Sequence, residues 1–251
     1  AKVYRNGHFE SASIEFDSHI RSFSPGEGMD ACGAYIIPGL IDVHTHGAMG
    51  IDASDCTAEQ IHHLAQFYSD NGVTSFCFTT LTVPADELRG AMKNIRAYER
   101  FGGEAKCAGV HLEGPFVSRG KCGAQNPDNI LKPDIALFNE LNELSGGIVR
   151  LITVAPEVEG ALDFIREASK VCTVSLGHST ADYDQAMAGF EAGATHVTHL
   201  FNGMEPFHHR KPGLVGAALT AGANVELICD GVHIHPAMIL AVHKMFGDRL
   251  I

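Results

Sequence analysis

Apolar residues fall in two alternating rhythms along most of this chain. Short continuous runs bounded by turn residues read as buried strands, and stretches with apolar positions three and four apart read as amphipathic helices. The first pair opens with Ile36-Ile-Pro-Gly-Leu-Ile-Asp-Val43, expected as a buried strand, followed by His44-Thr-His46-Gly47 and a loop. A helix is expected next, because Thr57 and Gln60 make a capping box, Ile61, Leu64, Ala65 and Phe67 recur on one face, and Asp70-Asn71-Gly72 ends it. The unit then repeats. A strand at 73–79 precedes a helix at 84–101, one at 107–112 a helix starting near Pro133, and one at 149–154 a helix at 159–170. Strands at 171–176, 195–198 and 225–229 lead in the same way to segments at 181–192, 213–221 and after Pro236.

Seven consecutive strand–helix units predict an α/β fold with a parallel sheet covered by helices, and their regularity favours a (β/α)8 TIM barrel. An open doubly wound sheet is the alternative, but no Gly-rich nucleotide loop opens the first helix. Phe246-Gly-Asp-Arg-Leu-Ile251 reads as a helix-ending glycine followed by the opening of another strand, so the eighth unit is expected to be truncated. Residues 1–34 have short alternating pieces such as Ser13-Ile-Glu-Phe-Asp17 and are expected to form a partial small β-sandwich domain. The barrel then occupies 35–251, with its C-terminal part missing.

Composition narrows the classes. With 45% hydrophobic residues, the 251-residue chain can bury a large core, and a net charge of −12 without a basic run argues against nucleic-acid binding. No apolar stretch approaches the ~20 residues needed to span a membrane. Seven scattered cysteines, with no secretory signal before them, favour a cytoplasmic protein. Fifteen histidines is the unusual count, and several stand at the ends of apolar runs.

Catalytic groups of such barrels gather at the C-terminal ends of strands. The third strand runs into Glu113 and is stopped by Gly114-Pro115. A carboxylate at the tip of a buried strand calls for a cation or donors. The first strand ends in His44 and His46, which alternation places on one side; the fifth, sixth and seventh lead to His178, His199 and His233. Thr79-Thr80 and Thr153-Val-Ala-Pro156 offer no ligand. A catalytic zinc-type ion takes three protein ligands from imidazole and carboxylate, a count that Glu113, His178 and His199 meet.

Pro38-Gly-Leu-Ile-Asp-Val-His-Thr-His46, His111-Leu-Glu-Gly-Pro115, Gly177-His-Ser179, Thr198-His-Leu-Phe-Asn-Gly-Met204 and Asp230-Gly-Val-His233 together resemble the N-acetylglucosamine-6-phosphate deacetylase family of the amidohydrolase superfamily. The resemblance runs from about Tyr35 to Ile251. Its His-x-His is shared across the superfamily, whereas the Glu-Gly-Pro and His-Leu-Phe-Asn-Gly-Met stretches in this order are specific. It implies an essential divalent ion, zinc foremost, on Glu113, His178 and His199, with His44 and His46 serving a second position, hence one or two ions per chain. The fourth strand ends without the lysine that carries a bridging carbamate in many binuclear relatives. The resemblance further implies that His233 polarises the substrate carbonyl and that Asn202 and Gly203 contact the phosphate. Arg210 would reach a phosphate held in the neighbouring subunit of a homodimer. Gln125 stands where the family often has a sugar-contacting histidine, and the general base is expected to be an Asp beyond Ile251. The implied reaction is hydrolysis of N-acetylglucosamine 6-phosphate to glucosamine 6-phosphate and acetate. Two other readings stand beside it: a cyclic-amide or deaminating amidohydrolase, which needs no Arg210, and a catalytically silent metal-binding protein.

Overall fold

Pro38 and Gly39 split the first apolar run in two. Proline gives no N–H to a ladder, and the chain forms Tyr35–Ile36, a break, and then Leu40–Thr45. Tyr35–Ile36 pairs in parallel with Lys2 and Val3, so these residues belong with the N-terminal strands and the boundary falls later than the composition change at residue 35. The computed structural model describes residues 1–25 and 28–251 and divides into the units Ala1–Ile41 and Asp42–Ile251. The expected burial of the first strand is also corrected, since Leu40 and Ile41 are 54% and 64% exposed.

The first unit contains two small sheets. One has Lys2–Arg5 at its centre between His8–Ser11 and Tyr35–Ile36, and the other is the antiparallel pair Ser13–Phe16 and Ile20–Ser24.

The second unit carries the repeat read in the sequence. The strands of the repeat are β1 (Leu40–Thr45, of which 42–45 fall in this unit), β2 (Val73–Thr80), β3 (Lys106–Glu113), β4 (Val149–Val154), β5 (Thr173–Leu176), β6 (His196–Val197) and β7 (Asn224–Val225). They form one curled sheet in chain order, a half-barrel, and every pair from β2 to β7 is parallel. The intervening helices are α1 (Ala58–Asp70), α2 (Ala85–Ala97), α3 (Ile135–Leu144), α4 (Ala161–Ala168), α5 (Tyr183–Glu191), α6 (Gly213–Ala221) and α7 (Pro236–Phe246). Strand β7 is shorter than the expected 225–229. Leu250 bridges Val225 in parallel, and Ile251 exchanges backbone hydrogen bonds with Val225 and Leu227, so the last residues pair along β7 as an opening strand would.

Helix α1 starts as its sequence says. Thr57 Oγ1 accepts from the Gln60 N–H at 3.2 Å, and the Gln60 side chain accepts from the Thr57 N–H at 2.8 Å. Its buried face is Ile61, Leu64, Ala65 and Tyr68; α2 buries Leu88, Ala91, Met92 and Ile95 at the same spacing. These stripes pack on strands that carry Phe76, Phe78, Val110, Leu112 and Ile152, all fully buried. Each large aliphatic or aromatic side chain so buried contributes about 1.5–3 kcal/mol. The sheet and its helices thereby fix the strand tips, where the chemistry stands.

Candidate metal centre

Glu113 is the last residue of β3 and is 2% exposed. Gly114 follows it at φ +92°, and a Cβ there would lie 2.2 Å from Thr82 Oγ1, so the chain leaves the strand tip through a conformation and a space that only glycine fits. His178 Nε2 and His199 Nε2 lie 3.1 Å and 2.9 Å from Glu113 Oε1, and 3.1 Å from each other. On the other side, His44 Nε2 is 3.3 Å from Oε1, His46 Nε2 is 3.2 Å from Oε2, and the two imidazole nitrogens are 3.3 Å apart. Of the five residues expected as ligands, the four histidines converge on the carboxylate of the fifth, Glu113.

The far nitrogen of each ring is held by an oxygen. His178 Nδ1 donates to Lys121 O, His199 Nδ1 to Asn202 O and His46 Nδ1 to Thr79 O, all at 2.9–3.0 Å. His44 Nδ1 donates to Glu226 Oε2 at 2.9 Å. These oxygens can only accept, so each Nδ1 carries a proton and Nε2 is the atom available as a ligand. Two ligands about 2.0–2.1 Å from a tetrahedral ion stand roughly 3.3–3.4 Å apart. The observed separations of 2.9–3.3 Å are close to that edge, and two groups, Glu113–His178–His199 and His44–His46–Glu113, meet it. The donor set fits a divalent ion of the zinc type at either position.

Before an ion binds, the carboxylate is held by imidazole N–H groups, so ligation through Nε2 displaces protons. Burial works against the Glu113 charge, but hydrogen bonds from His178, His199, His44 and His46 outweigh it and hold the carboxyl far below its usual range. Burial pushes the His44 imidazole down, and its hydrogen bonds to Glu113 and Glu226 overcome this, raising it to about 10. The site therefore keeps a buried anion facing imidazole nitrogens, the field a cation meets on entering.

Gln125 is buried beside this cluster. Its Oε1 accepts from the Thr82 N–H at 2.6 Å and its Nε2 donates to Glu113 Oε2 at 2.5 Å, so the amide is occupied by protein on both sides. Gly203, at φ +61°, brings its backbone under the ligands: a Cβ would stand 3.1 Å from His178 Nδ1. Asn202 Nδ2 is buried without a hydrogen-bond partner. His233 is exposed on the loop after β7, where its Nδ1 meets Asp230 Oδ2 at 2.7 Å; this imidazole holds the Asp230 carboxyl down at about 2. Arg210 is exposed and its guanidinium has no hydrogen bond or ion pair among the described residues. It lines a cleft of about 890 Å³ with Thr180, Tyr183, Glu205, His208 and Lys211.

Sequence reasoning passed over the polar layer beneath the ligands. His111 Nε2 bonds Thr153 Oγ1 at 2.7 Å, Thr153 bonds Thr198 Oγ1 at 2.7 Å, and Ser175 joins Thr198 at 2.6 Å. Burial, with the nearby His44 charge, drives the His111 imidazole down to about 3, so it stays neutral there. Glu226 was passed over as well, although a lone charge between Val225 and Leu227 in an apolar run was a visible signal.

A sequence model of the amidohydrolase family matches residues 35–247. The chain belongs to the amidohydrolase family. Among curated amidohydrolase relatives, the N-acetylglucosamine-6-phosphate deacetylase of Bacillus subtilis is 38% identical over 223 residues, which are 86% of this chain and 56% of that protein. The N-acetylgalactosamine-6-phosphate deacetylase of Escherichia coli O157:H7 is 40% identical over 219 residues, 86% of this chain and 58% of the relative. This chain thus spans somewhat more than half the length of the curated relatives it matches. The crystal structure of N-acetyl-D-glucosamine-6-phosphate deacetylase from Mycobacterium smegmatis superposes with a TM-score of 0.85 at 31% identity, covering 94% of this chain and 64% of that one. A mutant of that enzyme was solved in complex with N-acetyl-D-glucosamine-6-phosphate.

Proposed function

We propose that this amidohydrolase deacetylates N-acetylglucosamine 6-phosphate, giving glucosamine 6-phosphate and acetate. The observation that carries the reading is the convergence of His44, His46, His178 and His199 on the buried Glu113 at the tips of parallel strands. The names of its relatives point to the same reaction on sugar phosphates. In this reading the half-barrel belongs to a (β/α)8 barrel, and the ion is zinc, with Glu113, His178 and His199 as the main position and His44 and His46 completing the second. When bound, the ion supplies Lewis acidity, making water nucleophilic near neutral pH and stabilising charge that develops on the amide oxygen.

The chain's own residues do the rest. His233 is the residue that polarises the acetamide carbonyl: the Nδ1 bond to Asp230 orients the ring and leaves Nε2 to face the substrate, and donation from Nε2 requires a proton on both ring nitrogens. Asn202 offers its unpartnered Nδ2–H to substrate oxygen, and the Gly203 backbone leaves room for it. Arg210 forks onto the phosphate across the interface of a cytoplasmic homodimer, a role its unengaged guanidinium supports. The carboxylates of the site are each taken: Glu113 by imidazoles and Gln125, Glu226 by His44, and Asp230 by His233. By resemblance to the family, the proton carrier is expected to be an aspartate of an eighth strand.

The test is acetate release from N-acetylglucosamine 6-phosphate and its galactose epimer by the full-length protein, abolished by chelator and restored by zinc. Arg210→Ala should raise KM about 10–100-fold for the phosphorylated sugar, as loss of a charged hydrogen bond implies, and leave the unphosphorylated sugar unchanged. No acetate from either sugar phosphate would overturn the proposal. Equal effects of Arg210→Ala on both sugars would favour an amidohydrolase acting on another amide.

A further inference from the structure

Three of the four imidazoles around Glu113 are aimed by backbone carbonyls: His46 by Thr79, His178 by Lys121 and His199 by Asn202. His44 alone among these four is aimed by a side chain, the Glu226 carboxylate. Glu226 is 6% exposed and stands between Val225 and Leu227, in surroundings where an idle charge is costly. It directly follows β7 and His44 lies in β1, the two edge strands of the sheet, 182 residues apart. Its backbone N–H and C=O are already paired with Val197 and Leu200, so the side chain is not needed to cap or turn the chain. Its second oxygen, Oε1, has no hydrogen bond among the described residues, and His196 Nε2, which also has none, stands 3.4 Å away. The contact to His44 is the hydrogen bond that the Glu226 side chain makes.

We propose that Glu226 is the positioning residue of the second ion: by accepting from His44 Nδ1 it aims Nε2 at Glu113 and decides whether the His44–His46–Glu113 position is filled. The proposal rests on the reading of this cluster as a metal site. A carboxylate acceptor does two things that a carbonyl does not. It enriches the imidazole as a ligand through a charge-assisted bond, and it can be removed by mutation without disturbing the main chain. Loss of such a partner typically weakens metal affinity about 10–100-fold. The main position has no contact with Glu226 and should keep its ion.

The experiment is a zinc titration of the full-length protein, read by elemental analysis and by competition with a chromophoric chelator. The wild type should take two ions. Glu226→Gln, which keeps volume and an acceptor oxygen but not the charge, should leave one ion at wild-type affinity and weaken the other about 10–100-fold. Glu226→Asp should fall between the two, and in a His44→Asn background Glu226→Gln should change nothing further. A second ion within twofold of wild type in Glu226→Gln would overturn the proposal, as would equal weakening of both ions, the mark of a merely structural role. A wild type that takes one ion overturns this inference alone, whereas one that takes none overturns the metal reading with it. If the Glu226 variants do not fold, long-range 1H–15N spectra of the zinc-loaded wild type decide: a protonated His44 Nδ1 with bound Nε2 supports the proposal, and the opposite tautomer overturns it.

Discussion

Replacing Gln125 by leucine separates two roles for that residue. Leucine is close in volume, so the substitution removes two hydrogen bonds without opening a large cavity. The first links Gln125 Oε1 to the Thr82 N–H at 2.6 Å, and the second links Nε2 to Glu113 Oε2 at 2.5 Å, with all three residues at most 3% exposed. A buried N–H stranded without an acceptor costs about 1–3 kcal/mol, and a lost bond to a charged carboxylate about 1.5–3 kcal/mol. The sum is about 2.5–6 kcal/mol. At roughly 2–4 °C per kcal/mol for a chain of this size, the metal-free protein should melt roughly 5–24 °C lower, measured by calorimetry with chelator present. Gln125→Glu retains an acceptor for Thr82 but sets a second carboxylate against Glu113, so its loss at neutral pH should be similar and should shrink in acid. A residue whose work was to bond a sugar hydroxyl would behave in the opposite way, with melting unchanged and KM raised. A Gln125→Leu protein that loses less than about 1 kcal/mol would refute the reasoning from burial and geometry.

Further outcomes follow from the same contacts. Glu113→Gln should release both ions, because Glu113 is the shared ligand, whereas His44→Asn should leave about one per chain; an undiminished zinc content in Glu113→Gln by elemental analysis would mean the ligand set is wrong. Gly203→Ala must accept a strained φ of +61° with its new methyl 3.1 Å from His178 Nδ1, and should weaken zinc binding while costing about 1 kcal/mol or more of stability in a denaturant titration. Glu104 is buried in the loop before β3, where burial raises its carboxyl but hydrogen bonds from the Phe101 N–H, Tyr98 hydroxyl and His62 outweigh it and leave it lowered. Its depressed folded value means that the stability it adds is complete above the unfolded carboxyl range and lost as pH falls through the folded value. Glu104→Gln should thus flatten the acid side of the stability profile, from the ordinary glutamate range downward, followed by circular dichroism.

The repeat of strands and helices was legible because parallel strands covered on both faces read as continuous apolar runs, and the candidate ligands stood out because strand tips are where those runs stop. Glu113 stood out as a charge at the end of Cys107 to Leu112, and the four imidazoles occupied equivalent places. The first strand misled because Ile36 and Leu40 belong to one apolar run, and hydropathy does not register that Pro38 divides it between two sheets. The polar interior was less visible still. His111, Thr153, Ser175 and Thr198 come from four separate segments, and only the pairing of β3 to β6 brings them into one hydrogen-bonded chain. The role of Gln125 depended on a contact with Thr82, 43 positions away, for which periodicity carries no signal.

Two of the candidate ligands stand in a conformation that the sequence does not favour. His178 and His199 have φ of +45° and +30°, where a residue with a Cβ costs on the order of 1–3 kcal/mol unless its surroundings impose it. The surroundings do so redundantly. The Ser118 N–H donates to His178 O at 2.9 Å, the Ser179 N–H donates to Gly203 O at 2.9 Å, and Glu157 accepts from the Ser179 hydroxyl and the Thr180 N–H. Asn202 returns its N–H to His199 O while its own carbonyl holds His199 Nδ1. The loops after β5 and β6 therefore brace each other through Ser179 and Gly203, and each also carries one ligand. A strained backbone fixed from both sides has little freedom to swing its imidazole away from Glu113. The strand tips bring the ligands into range, and this mutual bracing of the two loops sets the separation of His178 and His199 to which an ion responds.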